Sequence, residues 1–408
     1  MKEKKILWSA WIVVTCFYAY QYILRVFPSI FMEDIVSKFQ LSPTAFGQFS
    51  GVYYLAYSFM HLPVGMLINK FGPKRVLPIL IMCTSLGLLP LLFSGSFIYP
   101  VLGRFLMGMG STGAILGVFK VLHMSFPPEK FSRFLSFSVT IGLVGAVYGG
   151  SPVHLAKEVL GFEFVLWALI ATSVLLSAAT FFLIPDSKDE ASSSSTFSDL
   201  KVLLGNGELL LLCFVAGLFV GPLEGFADVW GVQFLKTFHE IPAGLASGLP
   251  SWIFIGMGIG GPLLSLIAEK SGDYVRVVLA VSFLMLSSFI LLLTVKMSVV
   301  VLSALFLLIG IGCAYQILMI YQVSTRVEER LKGLSSVVSN MIIMIFGYVF
   351  HTSIGKCVEH FAGSQELSAF QDQRSLSLAI SVIPLALSVG WLALLYWYVF
   401  KSKRGRVV

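Results

Sequence analysis

The sequence predicts an all-α integral membrane protein of twelve transmembrane helices in two pseudo-symmetric six-helix bundles. Three observations carry this. Apolar residues make up 57% of the 408 and charged residues 12%, where a soluble domain would have roughly a quarter charged. Twelve apolar stretches each approach or exceed the roughly 20 residues that one bilayer crossing requires. A short polar loop at residues 68–73 recurs at 268–273, the mark of an internal repeat.

In order, the stretches run approximately over 6–32, 45–68, 76–95, 98–122, 132–153, 163–184, 208–234, 243–268, 275–295, 298–322, 334–355 and 375–400; they are spans 1 to 12. Span 1 is too long for a signal peptide, carries Arg25 and lacks a small-residue cleavage site, so it is read as a retained crossing. Spans 2 and 3 form a hairpin, because the apolar run stops at Ile68, a tight basic loop turns on Gly72 and Pro73, and the next run begins at Val76. Span 4 contains Gly108-Met-Gly110-Ser-Thr-Gly113. Those glycines lie inside an apolar run with no preceding strand, so they are read as helix packing rather than a dinucleotide fingerprint. Span 5 carries Gly142, Gly145, Gly149 and Gly150, which let a neighbouring helix approach closely. After span 6 comes the one long polar connector on the side shared by both ends of the chain, residues 185–207, with Asp186, Lys188, Asp189, Glu190 and the serine run 192–195; its composition is that of a flexible linker. The chain therefore divides into a six-helix bundle over 1–184, a linker over 185–207 and a second bundle over 208–408.

Orientation follows from Lys and Arg. Nineteen of them, among them Lys70, Arg75, Lys270, Arg276 and Arg326, fall on the side shared by both ends of the chain, and six on the other. Both termini are expected in the cytoplasm, and a bacterial inner membrane is the expected location. The same bias explains the net charge of +7 by proximity to anionic lipid, with no nucleic-acid partner. The five cysteines are scattered and suggest neither a disulfide framework nor a metal site. No Walker loop, metal-ligand cluster or nucleophile elbow is present, so neither an enzyme nor a cofactor is expected. The expected partners are a small-molecule substrate, protons and the bilayer, and the expected state is a monomer.

The spacing Gly65, Asn69, Lys70, Gly72, Lys74, Arg75 resembles the loop between helices 2 and 3 of the major facilitator superfamily, Gly-x-x-x-Asp-Arg/Lys-x-Gly-Arg/Pro-Lys/Arg-Arg/Lys, with Asn69 in place of the acid. The second copy, Ala268-Glu269-Lys270-Ser271-Gly272-Asp273 with Arg276, keeps an acid. Arg104 and Gly108 in span 4 are similar to that superfamily's Arg-x-x-x-Gly pattern. The span 5 glycines are similar to the signature of its drug/proton antiporters, but Pro152 is displaced, which counts against that class. The resemblance implies alternating access around a mid-membrane site. It also implies gating by Asn69, Lys70, Gly72, Arg75, Arg104, Glu269 and Lys270, with Glu269, Lys270 and Arg276 the stronger clamp.

Charges inside spans are the informative residues, since each costs at least ~2.5 kcal/mol at the bilayer centre unless protein or water shelters it. They are Arg25, Arg104, Lys120, Glu224 and Asp228. Lys120 can snorkel; Arg104 either anchors spans or gates. Tyr18, Tyr22 and Arg25 share one face of span 1, with Gln21 beside them. An arginine fork there matches a carboxylate or phosphate, and the arrangement resembles that superfamily's organic-anion symporters. The alternative is a structural ion pair. Glu224 and Asp228 share a face of span 7, the repeat partner of span 1. Either Arg25 pairs with one of them to close a gate, or burial beside a like charge makes one a proton carrier, Glu224 first. Tyr315 and Gln316 in span 10 are added to the site wall. Tyr53, Tyr54, Tyr57, His61, Trp252, Asn340 and His351 are read as interhelical glue or interfacial aromatics. The function expected is proton-coupled transport of a small organic anion or phosphorylated metabolite. The alternatives are a drug/proton antiporter and a non-transporting membrane sensor.

Overall fold

The structure, a computed structural model, describes residues 2–186, 197–363 and 366–400. Lys188, Asp189, Glu190 and the serine run of the connector lie outside the described residues. Among those described, twelve helices are long and apolar enough to cross a membrane. They are Leu7–Ile30, Pro43–Phe71, Pro73–Phe93, Ile98–Ser125, Arg133–Leu160, Phe162–Leu183, Gly207–Thr237, Ala243–Ser271, Tyr274–Thr294, Val299–Ser324, Glu329–Ala362 and Gln373–Phe400. Several outrun the apolar stretches expected above: span 5 continues to Leu160 and span 11 to Ala362. Apolarity marks only the part of a helix in hydrocarbon, whereas backbone hydrogen bonding carries it onward into water.

The described residues form two compact units. One comprises those up to Leu41 and from Gln48 to the connector; the other comprises Ser42–Gly47 and those after the connector.

In the first unit, span 1 is the central element. Its Trp11 Nε1 donates to Ser138 Oγ of span 5 at 2.9 Å, and its Tyr20 hydroxyl donates to the Leu169 carbonyl of span 6 at 2.9 Å. Span 5 lies so close that a Cβ at Gly145 would strike the backbone of Ala19. Gly108 is packed likewise against the Tyr53 carbonyl of span 2, so the glycine run of span 4 is a packing surface.

In the second unit span 7 is central, packed on span 11. Phe346 lies on Gly217, and Phe350 lies on Gly221 and Gly225. Span 7 is also where the helix type departs from expectation. It is α-helical over Gly207–Leu218, π-helical over Gly221–Trp230 and α-helical again over Gly231–Thr237. Pro222 has no N–H for the Leu218 carbonyl, and the amides of Phe219 and Val220 turn back to Ala216 and Gly217. The i→i+4 ladder is broken there, and the wider π ladder follows it.

The internal repeat is written in the backbone. Among the described residues six have positive φ: Gln40 (52°), Gly72 (79°), Gly161 (88°), Glu240 (58°), Gly272 (66°) and Gly363 (63°). They pair as 40 with 240, 72 with 272 and 161 with 363, so corresponding connections turn with the same hand about 200 residues apart.

Candidate functional site

Two constellations stand out, one in each unit. In the first, Arg25 is 7% exposed, with its guanidinium carbon 5.3 Å from the Tyr22 ring and 5.4 Å from the Tyr54 ring. Two aromatic faces thus hold the cation by its quadrupole attraction. Tyr18 packs edge-on to Tyr22 at 5.4 Å, and Gln21 Oε1 accepts from the Tyr53 hydroxyl at 2.8 Å. The four span 1 residues expected at the site are therefore neighbours. Sequence reading missed Tyr54, whose i+7 relation to His61 on span 2 was the available signal.

Arg104 is completely buried. Nη1 donates to the Leu24 carbonyl at 2.6 Å and Nη2 to the Arg25 carbonyl at 3.1 Å, and the guanidinium lies 4.6 Å from the Tyr53 ring and 5.0 Å from that of Phe27. Pro28 lies inside the same helix and offers no N–H to the carbonyl four residues back, which is that of Leu24. Arg104 supplies the missing donor. These contacts anchor span 4 to span 1.

In the second unit, Glu224 and Asp228 are fully buried within the π segment. Segments of this type cluster at functional sites. Span 11 holds this one in place: His351, fully buried, meets the Glu224 carbonyl through Nε2 at 2.5 Å. Because a carbonyl accepts, Nε2 carries the proton. His351, read from the sequence as interhelical glue, thus ties span 11 to the π segment of span 7. Tyr315 donates to the Ala216 carbonyl at 2.6 Å and lies edge-on to Phe219 at 5.5 Å, so its hydroxyl is used in packing span 7. Gln316, 8% exposed, has an Nε2 with no hydrogen-bond partner among the described residues.

The two loops of the repeat are built differently. Asn69, Lys70 and Arg75 are exposed around Gly72, while Lys74 reaches Asp186 at 3.1 Å. In the second loop Glu269 and Lys270 are exposed, and Arg276 Nε lies 4.0 Å from Asp273 Oδ2. Asp273 Oδ1 accepts the Arg276 amide at 3.1 Å, and Oδ2 accepts the Tyr398 hydroxyl at 2.6 Å. A short acid at the N-cap meets the amides of the first helical turn, so Asp273 caps span 9 and ties it to span 12. Near this loop's end of span 7, Arg326 Nη1 donates to Glu208 Oε1 at 2.7 Å, which Trp397 Nε1 also approaches at 3.2 Å.

Among the described residues no group of three or more His, Cys, Asp or Glu could hold a metal ion. The description "Major Facilitator Superfamily" matches residues 10–350.

The chain belongs to the Major Facilitator Superfamily.

As a member it is a twelve-span membrane protein of a superfamily of transporters. Among its relatives are "Uncharacterized transporter YybO" of Bacillus subtilis, 30% identical over 30% of this chain and 29% of that one. Another is "Probable galactarate/D-glucarate transporter GarP" of Escherichia coli K12, 23% identical over 62% and 65%. The chain thus spans less than two thirds of the length of either. A solved bacterial homologue of the human lysosomal transporter Spinster superposes with a TM-score of 0.75 at 15% identity, over 96% of this chain and 97% of the other. At that identity the likeness is one of Major Facilitator Superfamily fold.

Proposed function

We propose that this transporter carries a small organic anion, with Arg25 as the substrate's counter-charge and Glu224 as the proton carrier, Asp228 being the fallback. The observation that carries the reading is the buried guanidinium of Arg25 held between the Tyr22 and Tyr54 rings. A guanidinium stacked on aromatic rings is a fork whose geometry matches a carboxylate. The GarP relative, named a probable galactarate/D-glucarate transporter, points the same way. On this reading the bundles over 1–184 and 208–408 rock about the linker over 185–207. Asn69, Lys70, Gly72, Arg75, Arg104, Glu269 and Lys270 support the gates, and both termini face the cytoplasm of a bacterium whose inner membrane holds the protein as a monomer.

The test is uptake of galactarate into proteoliposomes, with and without an imposed pH gradient. Arg25→Ala is expected to abolish uptake. Retained export of cationic drugs by that variant would favour a drug/proton antiporter, and unchanged uptake would refute the role of Arg25.

A further inference from the structure

Span 2 carries a line of polar groups that the anion reading does not use. His61 is 5% exposed and Ser58 is fully buried, yet His61 Nδ1 and Ser58 Oγ have no hydrogen-bond partner among the described residues. Buried polar atoms without partners are rare and need a reason. Their position suggests one. Tyr54, which covers Arg25, and His61 are seven residues apart, so they share a helix face to within about 20° and are separated by about 10 Å of rise. Ser58 lies between them, four residues from Tyr54 and three from His61. Tyr57 flanks the line, its ring 5.3 Å from that of His61.

We propose that His61 and Ser58 form a second subsite, which holds the far end of an elongated hydroxylated carboxylate whose first carboxylate sits at Arg25. This rests on the anion reading above and narrows it. An acetate-sized anion at Arg25 would not reach two helical turns along span 2. A polyhydroxylated acid of several carbons does, and it presents what the face asks for. Its hydroxyls meet Ser58 Oγ, its C–H faces meet the Tyr57 ring, and a terminal hydroxyl or second carboxylate meets the His61 imidazole. Because imidazole both donates and accepts when neutral, either terminal group is served.

The experiment is calorimetric binding of acetate, gluconate and galactarate to the purified full-length protein in nanodiscs. The wild type is expected to bind gluconate and galactarate well above acetate. His61→Phe keeps a ring against Tyr57 but removes the hydrogen bond, and should reduce that margin about ten-fold with acetate binding unchanged. His61→Asn should restore part of it, and Ser58→Ala should lower the margin independently of whether the His61 variants fold well. An unchanged margin in both His61→Phe and Ser58→Ala, an equal loss for acetate, or no binding of any of the three anions to the wild type overturns the proposal. Arg25→Ala should weaken all three ligands. If it weakens none while His61→Phe still acts on the long ones, the placing of the first carboxylate at Arg25 fails, and only the contact of His61 with the hydroxylated end is kept.

Discussion

The Arg104 guanidinium donates to the Leu24 carbonyl at 2.6 Å, the one carbonyl of that turn whose helical donor Pro28 removes. A cation on span 4 thereby sets the backbone of the residue preceding Arg25.

Arg104→Ala leaves that carbonyl unsatisfied in a buried site, and apparent stability in detergent should fall by about 3 kcal/mol. Pro28→Ala returns an amide to Leu24. In the Arg104→Ala background it should recover about 1 kcal/mol, read as a coupling in a double-mutant cycle of thermal midpoints. Strict additivity would show that the two residues act separately.

Glu224→Gln keeps the shape of the buried side chain and removes its charge. Uptake driven by a pH gradient should be abolished, while substrate exchange across the membrane continues. Loss of both activities, or of neither, would remove Glu224 from the proton pathway and leave Asp228→Asn as the next variant to measure.

His351 fixes the Glu224 carbonyl through a donated hydrogen bond. His351→Gln retains an N–H donor and should keep most uptake, whereas His351→Leu should lose about ten-fold as the π segment loses its tether. Equal rates for the two variants would mean that packing alone matters at this position.

Asp273 gathers the Arg276 amide and the Tyr398 hydroxyl, while Glu269 is exposed. Asp273→Ala should therefore shift cysteine accessibility along span 12 more than Glu269→Gln does, and Tyr398→Phe should reproduce part of that shift. A larger effect from Glu269→Gln would return the clamp to the residue that the sequence alone suggested.

The joint between spans 7 and 8 is expected to loosen in acid. Burial beside Phe234 and Phe238 pushes the His239 imidazole below its ordinary value near 6.5; a hydrogen bond with the Leu292 backbone opposes this, and the Lys296 ammonium adds to it. The unfolded segment then takes a proton before the folded one, so folded stability is complete above about pH 6.5 and falls as pH drops below it. Protonation also removes the acceptor that His239 Nδ1 presents to the Met297 amide. The Lys296 ion pair holds the Glu240 carboxyl below its ordinary value, a contribution lost only at lower pH. Hydrogen exchange over residues 237–242, corrected for intrinsic rates, should accelerate between pH 7.5 and 5.5. His239→Asn should flatten that response; a flat wild type would refute it.

The twelve crossings, the repeat of the 68–73 loop at 268–273 and the placing of Arg25 beside Tyr22 were legible in the residues themselves, because each rests on the lipid's demand for apolar length or on helical period. Four features were not: the π segment around Glu224, the partnership of Arg104 with Leu24, the tie of Asp273 to Tyr398, and the covering of Arg25 by Tyr54. Each depends on which helix lies against which, and on a carbonyl or ring contributed from far along the chain. Local pattern records how a segment satisfies its own backbone and the bilayer; which distant group completes an interrupted hydrogen bond is decided only once the helices are packed.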